Sequence, residues 1–167
     1  MEFGISVGSN LGDRLRNLQE ARRRVVALAG VRVVASAPVY ETEPVEVGPA
    51  FADKRFLNSV LVIESAQAPE ALAADLRRIE DDLGRVRSAD RNAPRTIDLD
   101  VLYAGDVAME TAALILPHPR WNERRFVVQP LADVRPDLVL PWQRVPVAAI
   151  LLALPVKPDV VLFTREW

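Results

Sequence analysis

An α+β fold, with helices packed on a mostly antiparallel sheet, is predicted by three observations. Two segments carry apolar residues at three- and four-residue spacing, and each is stopped by a glycine, as amphipathic helices are. Short β-rich runs bounded by turn residues surround them in the order β-α-β-β-α-β. Neither an internal repeat nor a linker interrupts the 167 residues, half of which are apolar, so residues 1–167 read as a single domain with enough apolar side chains for a core.

Phe3 to Val7 is a short apolar strand that leaves the core at the turn Gly8-Ser9-Asn10. Leu15, Leu18, Ala21, Val25 and Leu28 then form one face of a helix, with Arg14, Arg16, Arg22 and Arg23 elsewhere around it and Gly30 as its stop. Val31 to Val39 alternates weakly and is β-rich. Glu43 to Lys54, with two prolines and a glycine, is a loop, and Phe56 to Glu64 returns to strand character. Pro69 opens a second helix with Leu72, Leu76, Ile79 and Leu83 on one face and Gly84 at its end. Arg85 to Arg95 has four arginines in eleven residues and no apolar period, which marks a charged surface loop.

Thr96 to Tyr103 is a strand with acids at alternate positions, and Ala104-Gly105-Asp106 turns it into a short return strand. Pro117 to Asn122 is irregular, Arg125 to Asp133 is helical up to an interruption at Pro130, Val147 to Leu154 is a short helix, and Val160 to Phe163 is a last strand. The apolar run from Val145 to Val156 is too short for the roughly 20 residues of a membrane span and reads as a buried segment. A ferredoxin-like α/β sandwich is the arrangement this order suggests. Such folds carry RNA binders, metal-binding domains and enzymes, so fold leaves function open.

Composition removes several classes of chemistry. A net charge of −2 gives no general attraction to nucleic acid or an anionic membrane, so any phosphate site must be local. The absence of cysteine excludes a disulfide scaffold, a thiolate zinc site and a cysteine nucleophile. Met1-Glu2-Phe3-Gly4 carries an acid where a signal peptide carries positive charge, and a reducing cytoplasm is the expected compartment. Nineteen arginines stand against two lysines, Lys54 and Lys157, neither of them behind a glycine-rich loop, so phosphate handling falls to arginine.

The sharpest local signal is Asp98-Leu99-Asp100, because residues i and i+2 of a strand share a face and two carboxylates there can share one site. Magnesium suits such oxygens, and a pair of ions about 3.5–4 Å apart can clamp a phosphoryl transfer. Alone, the pair reads more readily as two solvated acids on an edge strand. Its company favours a polyphosphate, since the loop bearing Arg85, Arg87, Arg91 and Arg95 runs directly into it. The plainer reading of that loop is a solvated segment paired with Glu80, Asp81, Asp82 and Asp90. His118, the only histidine, is a phosphate donor or a capped core side chain. Gly8-Ser9-Asn10-Leu11-Gly12 lacks nucleotide-loop spacing and reads as a strand-to-helix turn with polar capping.

In chain order, Gly8-Ser9-Asn10-Leu11-Gly12, Phe56-Leu57-Asn58, Gly84-Arg85-Val86-Arg87, Pro94-Arg95-Thr96-Ile97-Asp98-Leu99-Asp100 and Pro117-His118-Pro119-Arg120 closely resemble the 6-hydroxymethyl-7,8-dihydropterin pyrophosphokinase family of folate biosynthesis. The resemblance covers essentially the whole chain and implies an enzyme that passes the pyrophosphoryl group of ATP to the pterin hydroxymethyl oxygen, releasing AMP. It implies that Asp98 and Asp100 hold two magnesium ions and that Arg85 and Arg95 contact the transferring group. By the same resemblance Arg87, His118 and Arg124 are further ATP contacts, Phe56 and Phe126 stack the pterin, Asn58 binds its amide edge, and Thr42 stands nearby. Ser88, Asn92, Ala93 and Trp121 depart from other members. The competing class is a noncatalytic pterin-, nucleotide- or RNA-binding module, which would need strand aromatics beside basic residues and no metal. Small-molecule partners only are expected, without nucleic acid or membrane, and residues 84–94 are expected to close over bound nucleotide.

Overall fold

The computed structural model describes residues 1–44, 54–86 and 94–167. Among these, six strands form one antiparallel sheet: β1 (Glu2–Ser9), β2 (Arg32–Ser36), β3 (Val39–Thr42), β4 (Phe56–Glu64), β5 (Asp98–Ala104) and, last in the chain, β8 (Val160–Thr164). Their order across the sheet is β5-β1-β4-β3-β8, with β2 also paired to β4. Two further short strands, β6 (Met109–Glu110) and β7 (Ile115–Leu116), form a separate hairpin.

Helices cover both faces. α1 (Arg14–Val26) and α2 (Pro69–Asp82) bury Leu18, Val25, Leu72, Leu76 and Ile79 against Phe3, Ile5, Val7, Leu61 and Leu99. On the opposite face, α3 (Arg125–Val134) packs Val127, Val128 and Leu131 onto Val60, Val62 and Leu102, and α4 (Val147–Ala153) lies against α3. β4 is consequently buried on both sides, which explains why Phe56 to Glu64 is a near-continuous apolar run rather than an alternating one. The α+β class and the mostly antiparallel sheet are as the sequence predicts.

Four local expectations are corrected. The run from Val31 to Val39 is two strands, because Pro38 has no N–H to donate; at the break Ala37 donates to the Val60 carbonyl (2.9 Å) while its own carbonyl accepts from Ser59 Oγ (2.9 Å) and Trp167 Nε1 (2.8 Å). The return strand after Gly105 is only β6, paired with β7 and not with β5. α3 runs through Pro130, which is buried; tertiary burial outweighs the one backbone bond lost. The segment from Val145 to Val156 is not buried: α4 is the outermost layer, only Val147 is fully enclosed, and Leu152 is 87 % exposed.

Gly4 marks the tightest point of the sheet. A Cβ added there would lie 2.2 Å from Tyr103 Cε1, and the ring has no freedom to retreat, since Tyr103 Oη donates to Glu2 (2.7 Å) and Glu2 is itself held by Arg135 (2.7 Å). Gly4→Ala is expected to destabilise the fold by roughly 1–3 kcal/mol through overpacking. Urea unfolding checks this, and an unchanged midpoint would show that the β1–β5 contact can open at no cost.

Candidate active site

Strand register assembles the site. Asp98 lies opposite Gly8, which lies opposite Asn58; Asp100 lies opposite Ser6, which lies opposite Val60. Residues paired across a ladder point to the same side, so the acid pair and Asn58 share the face that carries α3. Between them Gly8 leaves open space, as a Cβ there would come within 2.9 Å of Asn58 Oδ1. A cavity of about 370 Å³ opens at this point, lined on one side by Thr42, Phe56 and Asn58, on another by Asp98 and Asp100, and reached by Phe126 from the first turn of α3. Asn58 Nδ2 donates to Thr42 Oγ1 (2.7 Å) in a buried bond, which fixes the orientation of the amide.

Two arginines converge on Asp98: Arg85 Nη1 donates to its Oδ1 and Arg95 Nη1 to its Oδ2 (3.1 Å). Burial opposes the charge of Arg85, yet Asp98 and Glu80 outweigh it and raise its pKa. Asp100 behaves differently. Burial first, then the negative charges of Asp98 and Glu80, push its carboxyl up to about 7. A cation beside the pair would favour the ionised form of Asp100 by offsetting the charges of Asp98 and Glu80. Among the described residues no group of three or more histidine, cysteine or acidic side chains is arranged to hold a metal ion. A pair fits magnesium nonetheless, because that ion takes one or two protein carboxylates and completes its shell with water and substrate phosphate.

A second cavity of about 430 Å³ lies beside the first, lined in part by Arg77, Glu80, Arg85 and Thr111, and Asp100 and His118 line both. The His118 backbone N–H donates to the Leu102 carbonyl (2.8 Å), and its Nδ1 accepts from the Arg120 N–H (3.2 Å). Burial, then the nearby charge of Arg124, lowers its pKa. The imidazole is therefore neutral at pH 7 and its geometry assigns the proton to Nε2, free to donate to an anion. Arg124 precedes α3, with its guanidinium 5.8 Å from the centroid of the Phe126 ring, and lines the first cavity. Arg87, Ser88, Asn92 and Ala93 lie outside the described residues, as does most of the loop expected to close.

Two positions that sequence reasoning did not assign to the site hold it together. Glu80 is 3 % exposed on α2; it accepts from Arg85 Nη1 and from the Leu99 N–H between the two acids (2.7 Å). Its signal was present, since Leu72, Leu76 and Glu80 are spaced by four and a carboxylate on an apolar helical stripe needs a partner. Asn10 does more than cap a turn: its Oδ1 accepts the Arg95 N–H (2.7 Å) and its own N–H donates to the Arg95 carbonyl (3.2 Å), so the turn after β1 holds the arginine that reaches Asp98. Among the described residues no helix is long and apolar enough to cross a membrane.

Comparison with known proteins is consistent with this geometry. Residues 4–136 match the model of the family described as 7,8-dihydro-6-hydroxymethylpterin-pyrophosphokinase. A 2-amino-4-hydroxy-6-hydroxymethyldihydropteridine pyrophosphokinase of Pseudomonas aeruginosa is 39 % identical over 137 residues, covering 82 % of this chain and 82 % of that protein. One of Bacillus subtilis is 40 % identical over 131 residues, covering 78 % and 75 %. The folic acid synthesis protein fol1 of Pneumocystis carinii is 39 % identical over 138 residues, but the aligned part is 82 % of this chain and 18 % of that protein. This chain thus spans only a small part of such longer relatives, as it does of the folate synthesis bifunctional protein of Pisum sativum, at 27 %. A crystal structure of wild-type Plasmodium falciparum HPPK-DHPS with pteroate shares the fold, with a TM-score of 0.67 at 12 % identity over 91 % of this chain and 42 % of that one. On the family match and the bacterial relatives together, the chain belongs to the 7,8-dihydro-6-hydroxymethylpterin-pyrophosphokinase family.

Proposed function

We propose that this chain, acting as one domain over residues 1–167 in the cytoplasm, transfers the pyrophosphoryl group of ATP to the hydroxymethyl oxygen of 6-hydroxymethyl-7,8-dihydropterin, giving the pterin diphosphate and AMP in folate synthesis. The observation that carries this reading is Asp100 at the junction of two cavities with Asp98 beside it in the first: that cavity is furnished for a flat heterocycle, and the second brings Arg77, Arg85 and His118 within reach of phosphates.

In the first cavity Phe56 and Phe126 present aromatic surface to the bicyclic ring, and Asn58, oriented by Thr42, meets its polar edge. In the second, the nucleotide runs its phosphates past His118, whose Nε2–H donates to an oxygen, towards Arg85 there and Arg95 in the first cavity. Arg87 and Arg124 complete the nucleotide contacts. Asp98 and Asp100 would hold two magnesium ions, which would supply charge neutralisation for the triphosphate. Arg85 and Arg95, which here neutralise Asp98, then pass to the oxygens of the transferring group, where charge develops as the hydroxymethyl oxygen attacks the β-phosphorus and the bond to the AMP oxygen breaks. Glu80 keeps Arg85 and the Leu99 backbone in register during this exchange.

Incubation with ATP, magnesium and the pterin alcohol tests the reading: AMP and pterin diphosphate are expected, and ADP would overturn it. A noncatalytic RNA-binding module is not favoured, because helices cover both sheet faces on which bases would stack. For the ring pocket, Phe56→Ala and Phe126→Ala are each expected to weaken pterin binding by roughly 1–3 kcal/mol with nucleotide affinity little changed. Calorimetric titration checks this; lost stability with undiminished pterin affinity would make both residues ordinary core.

A further inference from the structure

We propose that Arg125 is a positioning residue that holds the turn after α4 as a wall of the pterin cavity, an inference that rests on the pterin reading above. Arg125 opens α3, next to Phe126, and its Nη1 donates to two carbonyls at the far end of α4, those of Leu151 and Leu154, each at 3.2 Å. Both carbonyls lie at the end of α4, where a guanidinium suits the negative end of the helix; that of Leu151 also accepts from the Leu154 N–H (3.3 Å). From there Leu154, Pro155, Lys157, Pro158 and Val160 line the same cavity as Phe56 and Phe126.

Among the described residues this wall has few other hydrogen bonds to hold it in place. Pro155 and Pro158 carry no N–H, so the stretch cannot join the sheet until β8 begins at Val160. It is held at one end by Arg125 and at the other by the pairing of Val160 with Thr42, the residue that orients Asn58. Arg125 thus ties the helix that carries Phe126 to the strand beside Thr42. The wall lies beyond residues 4–136, so this part of the cavity is built by a segment outside the family match. When the clamp is lost the wall gains freedom that pterin binding must remove again, which weakens binding without touching the phosphates.

The test is steady-state kinetics on the full chain, varying pterin and ATP separately, with thermal melts as a control. Arg125→Ala is expected to raise KM for pterin about five- to tenfold while KM for ATP and kcat stay within about twofold. Arg125→Lys, which retains a donor, should recover part of the loss. Pro155→Gly loosens the wall without altering Arg125 and should raise the pterin KM likewise, and the double variant should fall short of the sum of the two single effects because both act on one element. A folded Arg125→Ala chain with unchanged pterin KM overturns the inference while leaving the pyrophosphokinase reading intact. An equal rise in KM for ATP also overturns it, by assigning Arg125 to the phosphates. A wild-type chain that makes no AMP overturns both.

Discussion

Asp98→Ala and Asp100→Ala are each expected to lower turnover of ATP and pterin by about a thousandfold or more while the chain stays folded. Both carboxylates face the first cavity from β5 and neither packs in the core, so removing one deletes a candidate metal ligand without opening a void in either hydrophobic cluster. Circular dichroism establishes the folded baseline, and near-normal turnover of a folded variant at saturating magnesium would remove the acid pair from the mechanism. Asp100 also makes a pH-dependent prediction. Its carboxyl stands at about 7 against a usual 3.8, so the fold favours the protonated form. That contribution is complete below the usual value and is lost as pH rises through the raised one. Without magnesium or nucleotide, the melting temperature should therefore fall between about pH 4 and pH 7, and Asp100→Asn, which cannot ionise, should flatten the fall.

Arg95→Ala is expected to lower kcat by about a hundred- to ten-thousandfold with a smaller change in ATP affinity, since a guanidinium that follows the transferring group acts mainly in the transition state. Arg95→Lys should recover little, because an ammonium cannot present the same fork to phosphate oxygens. The position of Arg95 depends on Asn10, whose side chain and backbone both bond the Arg95 backbone. Asn10→Ala should therefore reduce kcat in the same direction by a smaller factor, with some stability lost because the Arg95 N–H is left without its acceptor. Rapid-quench measurement of the transfer step checks both, and an Arg95→Ala chain whose loss appears entirely in KM for ATP would make the residue a binding contact only.

What could be read from the chain alone follows from local physics. Leu72, Leu76 and Ile79 report a helix because 3.6-residue periodicity is a property of consecutive residues, and α2 ends two residues before Gly84. Asp98 and Asp100 report a shared face because strand periodicity is two. The aromatic, asparagine and arginine candidates came from motif resemblance, which likewise needs only order along the chain. Two of the expectations that failed depended on neighbours distant in sequence: the burial of Pro130 inside α3, and the outer position of α4 that leaves Leu152 in solvent.

The sequence by itself determined the class of fold, the acid pair, the reliance on arginine and the family resemblance, since composition, period and motif are all contained in neighbouring residues. Only the tertiary structure decided that Gly8 stands between Asp98 and Asn58, that Glu80 and Asn10 hold the arginines and that a turn after α4 closes one side of the cavity. Each of these is a contact between elements far apart in the chain, set by strand register and by which face a helix buries, and no local pattern encodes either.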